Sequence, residues 1–392
     1  MTKRPYGQGS IYKDDASGLW CATVTADGKR RTVRSKRKDV VVQKLAALQR
    51  DVAAGLPIAT SGVTVGAFLA EWLAAKRSSL APQTSDSYER RIRRQVVPHI
   101  GSTRLSDLDR THIQGLYELL QDEGLSAQTV NHVDAILKTA LKEGVRWGRV
   151  ARNVAELVDP PRVVRVQPRV LSAVEASRFL DCAQGDRYEA IYVLAIGTGM
   201  RRGELLGLHW RDVDLDRGLL SVNWNLIRTS RDELQLDAPK TAQSRRRLTL
   251  DEETITALRE HRARQLEQRL QVGTAWQETD LVFCNEVGRA TNPSNLIVRS
   301  FWPIRKQAGF DAVTTTDRRG RTTVIVPALR FHDLRHTAGT LMLEANVPLK
   351  IVSSRLGHSN INVTADTYLH VTDRMDHEAA VAVGDLLRRS RR

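Results

Sequence analysis

The sequence predicts a multidomain protein built from a three-stranded β-sheet plus helix module, an all-α domain, and a mixed α+β, mainly helical, C-terminal domain. Its length of 392 residues exceeds what one hydrophobic core usually serves. The apolar residues follow a strand-like period first, a helical period next, and a mixture of both at the end. A proline-bounded segment, DPPRVVRVQP at residues 159–168, separates the second part from the third and is predicted to be an extended linker.

The first 60 residues predict a small basic module. Apolar and polar residues alternate over residues 9–35, with turn sequences at residues 16–18 and 26–29, which indicates a three-stranded meander. A helical pattern follows and ends at Gly55. This segment holds 12 Lys plus Arg against 5 Asp plus Glu. The charge fits either a solvated basic face or contact with nucleic acid, and its concentration around a small sheet favours nucleic acid.

Residues 63–158 carry apolar side chains at helical spacing almost throughout, which predicts four to five packed helices. Residues 88–97 are predicted to form one helix, with Ile92 and Val96 facing the core and a basic run on its surface: Arg90, Arg91, Arg93 and Arg94. Cap residues mark two further helix starts, Ser106 or Asp109 and Ser126 or Thr129.

Residues 169–392 form the third domain, in which 219–224, 249–250 and 281–283 are the strand candidates. Ser172 and Glu175 are expected to form a capping box at its first helix.

The overall charge indicates a polyanionic partner. The formal net charge is +15 and the isoelectric point is about 10.1, which favours nucleic acid, although ribosomal and basic membrane-surface proteins share the property. Three cysteines without metal-ligand spacing suggest neither a disulfide framework nor a zinc cluster. The N-terminal sequence MTKRPYGQGS lacks the apolar stretch of a signal peptide, so a cytoplasmic protein is expected.

Four short stretches of the third domain stand out together. In chain order they are TGMRRGELL at 198–206, PKT at 239–241 followed by SRR at 244–246, HDLRHT at 332–337, and LGHS at 356–359 followed by TY at 367–368. Each is weak evidence alone, since such strings occur by chance. In this order and spacing they resemble the signature boxes of the tyrosine recombinases of the phage-integrase type.

The resemblance implies an enzyme that breaks and rejoins DNA through a 3′-phosphotyrosyl intermediate, with no metal and no other cofactor. The catalytic residues that it implies are Arg201, Lys240, His332, Arg335, His358 and the nucleophile Tyr368. The chemistry explains the residue types, because paired guanidinium donors bind the negative oxygens of a phosphodiester. The phenol must lose a proton as it attacks, and the leaving 5′ oxygen must gain one.

Each implied residue has its own expected role. Arg201 and Arg335 would hold the phosphate oxygens, His332 would act as the base, and Lys240 would protonate the leaving group. His358 would donate a hydrogen bond to a phosphate oxygen.

Residues beside these six are expected to do less. Arg202 is expected to be a surface residue or to contact the DNA backbone, and Glu204 is expected to support the arginine geometry or cap a helix. His336 lies one helical turn from His332, but the string HDLRH lacks the glutamate of a zinc motif. The apolar spacing of residues 373–387 predicts a helix, which either packs within the chain or docks on a neighbouring subunit.

The resemblance also assigns the preceding parts. Residues 1–60 would bind arm-type DNA sites, residues 63–158 would be a core-binding domain that clamps the crossover site with the catalytic domain, and the partners would be double-stranded DNA and three further copies of the chain in a tetramer. A host DNA-bending protein and an excision factor are possible partners, and the enzyme is expected to integrate or excise a phage or mobile element.

Two alternatives stay open at the level of sequence. A type IB topoisomerase uses a similar set of residues to relax supercoiled DNA as a monomer, and the domain layout argues against it. A catalytically silent DNA-binding regulator could use the same scaffold, and the intact set of six residues argues against it.

Overall fold

The computed structural model describes residues 9–26, 29–53, 62–164, 167–229, 233–238, 245–316, 322–358, 360–367 and 388. The chain divides into two compact units, Met1–Arg165 and Val166–Arg392. Within the described residues, no helix combines the length and the apolarity needed to cross a membrane.

The first unit begins with the predicted meander. Strands β1 (Ser10–Lys13), β2 (Trp20–Ala26) and β3 (Lys29–Ser35) form an antiparallel sheet in that order. Helix α1 (Lys38–Ala53) follows the sheet, and their shared core consists of Ala22, Val24, Val41 and Leu45. This apolar core is small, in keeping with the small size of the module.

The rest of the first unit is helical, as predicted. Its helices are α2 (Val65–Lys76), α3 (Pro82–Arg91), α4 (Val97–Ile100), α5 (Arg110–Asp122) and α6 (Ala127–Arg146). Asp109 and Ser126 cap α5 and α6 through bonds to backbone N–H groups, which stabilises their first turns. Ile92 and Val96 are buried in the core, as predicted.

One predicted helix of this unit is divided. The pattern predicted a continuous helix over residues 88–97, whereas α3 ends at Arg91 and a wide π-type turn, Ile92–Val96, joins it to α4. Pro98 lies in the first turn of α4 and has no N–H to donate to a preceding carbonyl. The helix therefore changes its hydrogen-bond pattern just before this proline.

The second unit mixes helices with small sheets. Its helices are α7 (Ala173–Ala183), α8 (Glu189–Thr198), α9 (Arg202–Leu206), α10 (Glu252–Val272), α11 (Pro293–Leu296), α12 (Trp302–Gln307), α13 (Asp333–Glu344), α14 (Leu349–Leu356) and α15 (Ile361–Thr367). The predicted capping box of Ser172 and Glu175 is present at α7. Helices α8 and α13 pack against each other. Arg201 lies shortly after the end of α8, and Arg335 lies in the first turn of α13.

The strands of the second unit form one sheet and two hairpins. Strands β4 (Val213–Asp214), β5 (Leu219–Val222) and β8 (Arg246–Thr249) make an antiparallel sheet, and β6 (Asn225–Arg228) pairs with β7 (Leu234–Asp237). Strands β9 (Val313–Thr316) and β10 (Thr322–Val326) form a further hairpin, which the apolar pattern did not predict.

Two strand predictions need correction. The candidate strand 219–224 was predicted two residues too long, because β5 ends at Val222 and the next strand, β6, begins only at Asn225. The candidate strand 281–283 is wrong, since Leu281 makes only an isolated bridge to His209. These residues are buried and apolar without belonging to a ladder, and a short apolar run does not by itself distinguish a strand from another buried segment.

The helical part of the first unit contains a testable buried polar contact. The Tyr117 hydroxyl donates to the Asp134 carboxylate at 2.7 Å, and Lys138 pairs with the same carboxylate at 3.0 Å. We expect Tyr117→Phe to lower the free energy of unfolding by about 1–3 kcal/mol, because it leaves a buried acceptor with one partner fewer. Chemical denaturation followed by circular dichroism measures this. Tyr12→Phe is the matched control because Tyr12 is exposed; an equal loss in both variants would contradict the prediction.

Candidate active site

Four of the six predicted catalytic residues lie in the described part of the second unit. Arg201 precedes α9, His332 and Arg335 lie at the start of α13, and His358 follows the end of α14. Lys240 and Tyr368 lie outside the described residues. Their neighbours in sequence are described: Asp237 ends β7 before Lys240, and Thr367 ends α15 directly before Tyr368.

Arg335 is buried and anchored on the end of α8. Arg335 is only 4% exposed, and its Nη1 donates to the backbone oxygen of Gly199 at 2.6 Å. Gly199 ends α8 in the left-handed conformation, with φ of 67°. Arg335 therefore binds the chain two residues before Arg201.

Arg201 is anchored in the same way on the end of α14. Its Nη2 donates to the backbone oxygen of Gly357 at 2.9 Å, and its Nη1 donates to Glu204 at 2.8 Å. Gly357 is also left-handed, with φ of 67°, and directly precedes His358. Each arginine thus holds the turn that carries the next predicted site residue, which brings three boxes together.

Both turns require glycine for two reasons. A positive φ disfavours residues with a Cβ, and the space is occupied as well. A Cβ at Gly199 would lie 2.4 Å from Cδ2 of Leu356, and one at Gly357 would lie 2.9 Å from Nη1 of Arg246. The glycines of the first and fourth boxes therefore set how closely the two turns approach the rest of the site.

Glu204 is a buried carboxylate that organises Arg201. It is 3% exposed, and it accepts the backbone N–H of Arg201 at 2.9 Å in addition to the guanidinium. Nη2 of Arg246 donates at 2.9 Å to Oε2 of Glu204, the oxygen that also accepts the backbone N–H of Arg201. Burial alone would raise the pKa of Glu204, but the hydrogen bonds and charges of Arg246 and Arg201 lower it below the usual value. Glu204 therefore stays ionised while it caps α9 and holds Arg201, the two roles expected from the sequence.

His332 and His336 form an edge-to-face pair at the start of α13, with ring centroids 5.1 Å apart. Partial loss of water lowers the pKa of His332 to about 4, and the nearby charges of His336, Arg335 and Arg201 act in the same direction. A neutral imidazole at neutral pH can accept a proton, which is what a base requires. The lowered pKa thus agrees with the role expected for His332.

His358 is oriented by the helix that precedes Tyr368. Its Nδ1 lies 2.7 Å from the hydroxyl of Thr364, a buried residue of α15. Burial first, and then the charges of Arg335 and Arg201, lower the pKa of His358 to about 4. The charges of both arginines therefore lower the pKa of both histidines, which indicates that the four residues share one electrostatic environment.

Arg246 is a residue of this site for which the sequence analysis predicted no role. It stands in the second box beside Arg245 and Arg247, and nothing in the string SRR distinguishes it. Its side chain is 6% exposed, whereas Arg247 is exposed on the same strand. Alternation along β8 is the signal that could have separated the two, since neighbouring strand residues face opposite sides.

Solved structures share this fold. The Tn1549 transposon integrase in complex with a circular intermediate DNA superposes with a TM-score of 0.64 at 20% identity, covering 81% of this chain and 100% of that one. A lambda integrase tetramer bound to a Holliday junction gives a TM-score of 0.57 at 16% identity, covering 93% of this chain and 96% of that one. The predicted fold class, that of the tyrosine recombinases, is therefore confirmed.

Sequence comparison identifies the family. Residues 169–375 match the Phage integrase family, and residues 64–120 match the phage integrase N-terminal SAM-like domain. A tyrosine recombinase XerC-like protein of Caldanaerobacter subterraneus is 31% identical over 351 residues, 85% of each chain, and an integrase of Streptomyces ambofaciens is 29% identical over 404 residues, 99% of this chain and 98% of that one. The chain belongs to the phage integrase family of tyrosine recombinases. It is a site-specific DNA recombinase.

The two lowered histidine pKa values predict how stability depends on pH. An unfolded histidine has a pKa near 6.5, so on acidification the unfolded chain takes up protons before folded His332 and His358 do. We expect the melting temperature of the DNA-free protein to fall as the pH is lowered from about 6.5 towards about 4. The fall should be smaller for His358→Gln, since one such group is removed. His132→Gln, at an exposed histidine of the first unit, should keep the wild-type slope; equal slopes in all three proteins would contradict the pKa assignment.

Proposed function

We propose that this recombinase cleaves DNA by attack of the Tyr368 hydroxyl on a backbone phosphodiester, with Arg201, Lys240, His332, Arg335 and His358 completing the active site. The observation that carries the proposal is the pair of backbone bonds by which Arg335 holds Gly199, beside Arg201, and Arg201 holds Gly357, beside His358. These bonds bring the two guanidiniums and His358 together from three distant boxes, and both guanidiniums lie near enough to His332 to lower its pKa. A phosphodiester needs such a cationic site, because attack builds negative charge on its non-bridging oxygens.

The two arginines would bind the scissile phosphate in different ways. Arg335 is buried and donates to the backbone of Gly199, whereas the Arg201 side chain is 38% exposed. A guanidinium has five N–H donors, and the bonds of Arg201 to Glu204 and Gly357 use only some of them. A preorganised pair of this kind stabilises the charge of the transition state without reorganising during the reaction.

The covalent step requires two proton transfers. The Tyr368 oxygen forms a bond to phosphorus while the bond from phosphorus to the 5′ oxygen breaks, and the phosphate becomes a 3′-phosphotyrosine. His332 would take the phenol proton, and Lys240 would give a proton to the departing 5′ oxygen. His358 would donate a hydrogen bond from Nε2 to a phosphate oxygen, with its other ring nitrogen held by Thr364. Rejoining reverses these steps, so the ester conserves the bond energy.

The rest of the chain would select and hold the DNA. Residues 63–158 and the catalytic domain, 169–392, would bind core sites, the linker 159–168 would join them, and residues 1–60 would bind arm sites. Support comes from two DNA-bound proteins of this fold, the Tn1549 transposon integrase in complex with a circular intermediate DNA and the lambda integrase on a Holliday junction. The lambda integrase on the Holliday junction is a tetramer, and we propose a tetramer here.

The biological role would be integration or excision of a phage or mobile element in a bacterial cell, on chromosomal DNA. A host DNA-bending protein and an excision factor are proposed as accessory partners. The helix predicted over residues 373–387, which lies outside the described residues, would dock on a neighbouring subunit of the tetramer. Such an arrangement would couple the active sites of a closed ring.

The nucleophile assignment is tested by removing one oxygen atom. We expect Tyr368→Phe to bind DNA with wild-type affinity and to form no covalent adduct on a nicked suicide substrate that carries the element's own site, because phenylalanine has no nucleophile. Denaturing gel electrophoresis detects the adduct. Tyr188→Phe is the control, since it removes a buried hydroxyl that contacts Thr291 elsewhere in the unit, and it should still form adduct. An adduct with Tyr368→Phe would move the nucleophile to another residue.

Site dependence distinguishes the recombinase from a topoisomerase. We expect a supercoiled plasmid without an attachment site to keep its linking number when incubated with the protein, because cleavage should await assembly of several subunits on specific sites. Agarose gel electrophoresis in the presence of an intercalator measures the topoisomer distribution. A plasmid that carries the site is the matched control. Efficient relaxation of the plasmid that lacks the site would favour the topoisomerase function instead.

A further inference from the structure

Arg246, the first residue of β8, has a buried side chain that contacts two other segments of the candidate active site. Its Nη2 donates to Oε2 of Glu204 at 2.9 Å and its Nη1 to Oε1 at 3.3 Å. Its Nε donates to the backbone oxygen of Arg355 at 2.6 Å. The same guanidinium lies against Gly357, where a Cβ would be 2.9 Å from Nη1. One side chain thus joins β8, α9 and the end of α14.

The groups that Arg246 contacts also hold Arg201. Glu204 holds Arg201 through its guanidinium and through its backbone N–H. Arg355 stands two residues before Gly357, whose oxygen accepts the other end of the Arg201 guanidinium. Arg246 therefore contacts both groups that hold Arg201, which are the Glu204 carboxylate on one side and the turn at Gly357 on the other.

The charges explain why the anchor must be an arginine. Glu204 is a buried carboxylate with two oxygens, and a planar guanidinium can bind both of them while its Nε donates in a third direction. A lysine would keep the positive charge but could not reproduce this fork, so the carboxylate could turn about its terminal bond. A rotated Glu204 would draw Arg201 with it, because the Arg201 guanidinium shares one of its oxygens.

We propose that Arg246 is a positioning residue for the DNA cleavage step, which holds Arg201 in the orientation that meets the scissile phosphate. The inference rests on the proposed function of Arg201. Arg246 would act on the chemical step rather than on DNA affinity, because its side chain is buried, whereas its neighbour Arg247 is exposed.

The test is a single-turnover cleavage assay on the suicide substrate at saturating DNA. We expect Arg246→Lys to lower the rate constant for adduct formation on the order of 100-fold, the scale of a small misplacement in an active site, while the dissociation constant for DNA stays within about 2-fold of wild type. Arg247→Lys, the same change on the exposed face of β8, should keep the wild-type rate constant. Equal rate constants for wild type and Arg246→Lys would overturn the inference.

A double-mutant cycle separates positioning from a purely structural role. If Arg246 acts through Arg201, its substitution should lower the rate constant for adduct formation only slightly further once Arg201 is already substituted. We expect Arg246→Lys to lower the rate constant less than about 5-fold in an Arg201→Lys background. Multiplicative losses would overturn the inference, because they would show that the two residues act independently.

Folding is checked on the same proteins by thermal unfolding, with Arg246→Gln as a second variant. Both variants should retain cooperative unfolding above the assay temperature; if neither does, Arg246 serves stability and the inference is wrong. Failure of the proposed function would give a different result, because the wild-type protein itself would form no adduct. Adduct formation by wild type together with an unaffected Arg246→Lys would refute only the positioning role.

Discussion

The candidate active site depends on two arginine side chains, each of which binds the backbone beside another residue of the site. Arg335 donates to Gly199, just before Arg201, and Arg201 donates to Gly357, just before His358. Because each acceptor is a carbonyl at the end of a helix, it carries part of the negative end of that helix dipole and suits a cation. The two bonds tie the ends of α8 and α14 into the site, so the proposed phosphate site would be organised before DNA binds.

This arrangement concentrates positive charge, and the protein limits the cost in two ways. One buried carboxylate, Glu204, is shared by Arg201 and Arg246, which keeps it ionised and rigid. The histidines His332 and His358 are kept neutral by lowered pKa values of about 4. A bound phosphate would add the missing negative charge, and it would raise both histidine pKa values. Substrate binding and protonation of the site are therefore linked.

Much of the fold followed from local patterns, and the differences have local causes. The N-terminal meander, the helical region and the caps at Asp109, Ser126 and Ser172 were predictable because they depend on neighbouring residues. The π-type turn before Pro98 was missed because a period of apolar residues does not report a change in hydrogen-bond pattern. The buried run 281–283 was taken for a strand because burial and pairing leave the same apolar signature.

The sequence by itself determined the family resemblance and the chemical types of the candidate site, because the four boxes keep their order and their spacing within each box. Only the tertiary structure decided what each neighbouring residue does. Of the three adjacent arginines 245–247, strand alternation could have separated Arg246 from its exposed neighbours, but it could not show that Arg246 binds Glu204 from β8. The reason is physical: the contacts of Arg246 join residues 42 and 109 positions apart. Such contacts depend on how helices and strands pack, which no local pattern encodes.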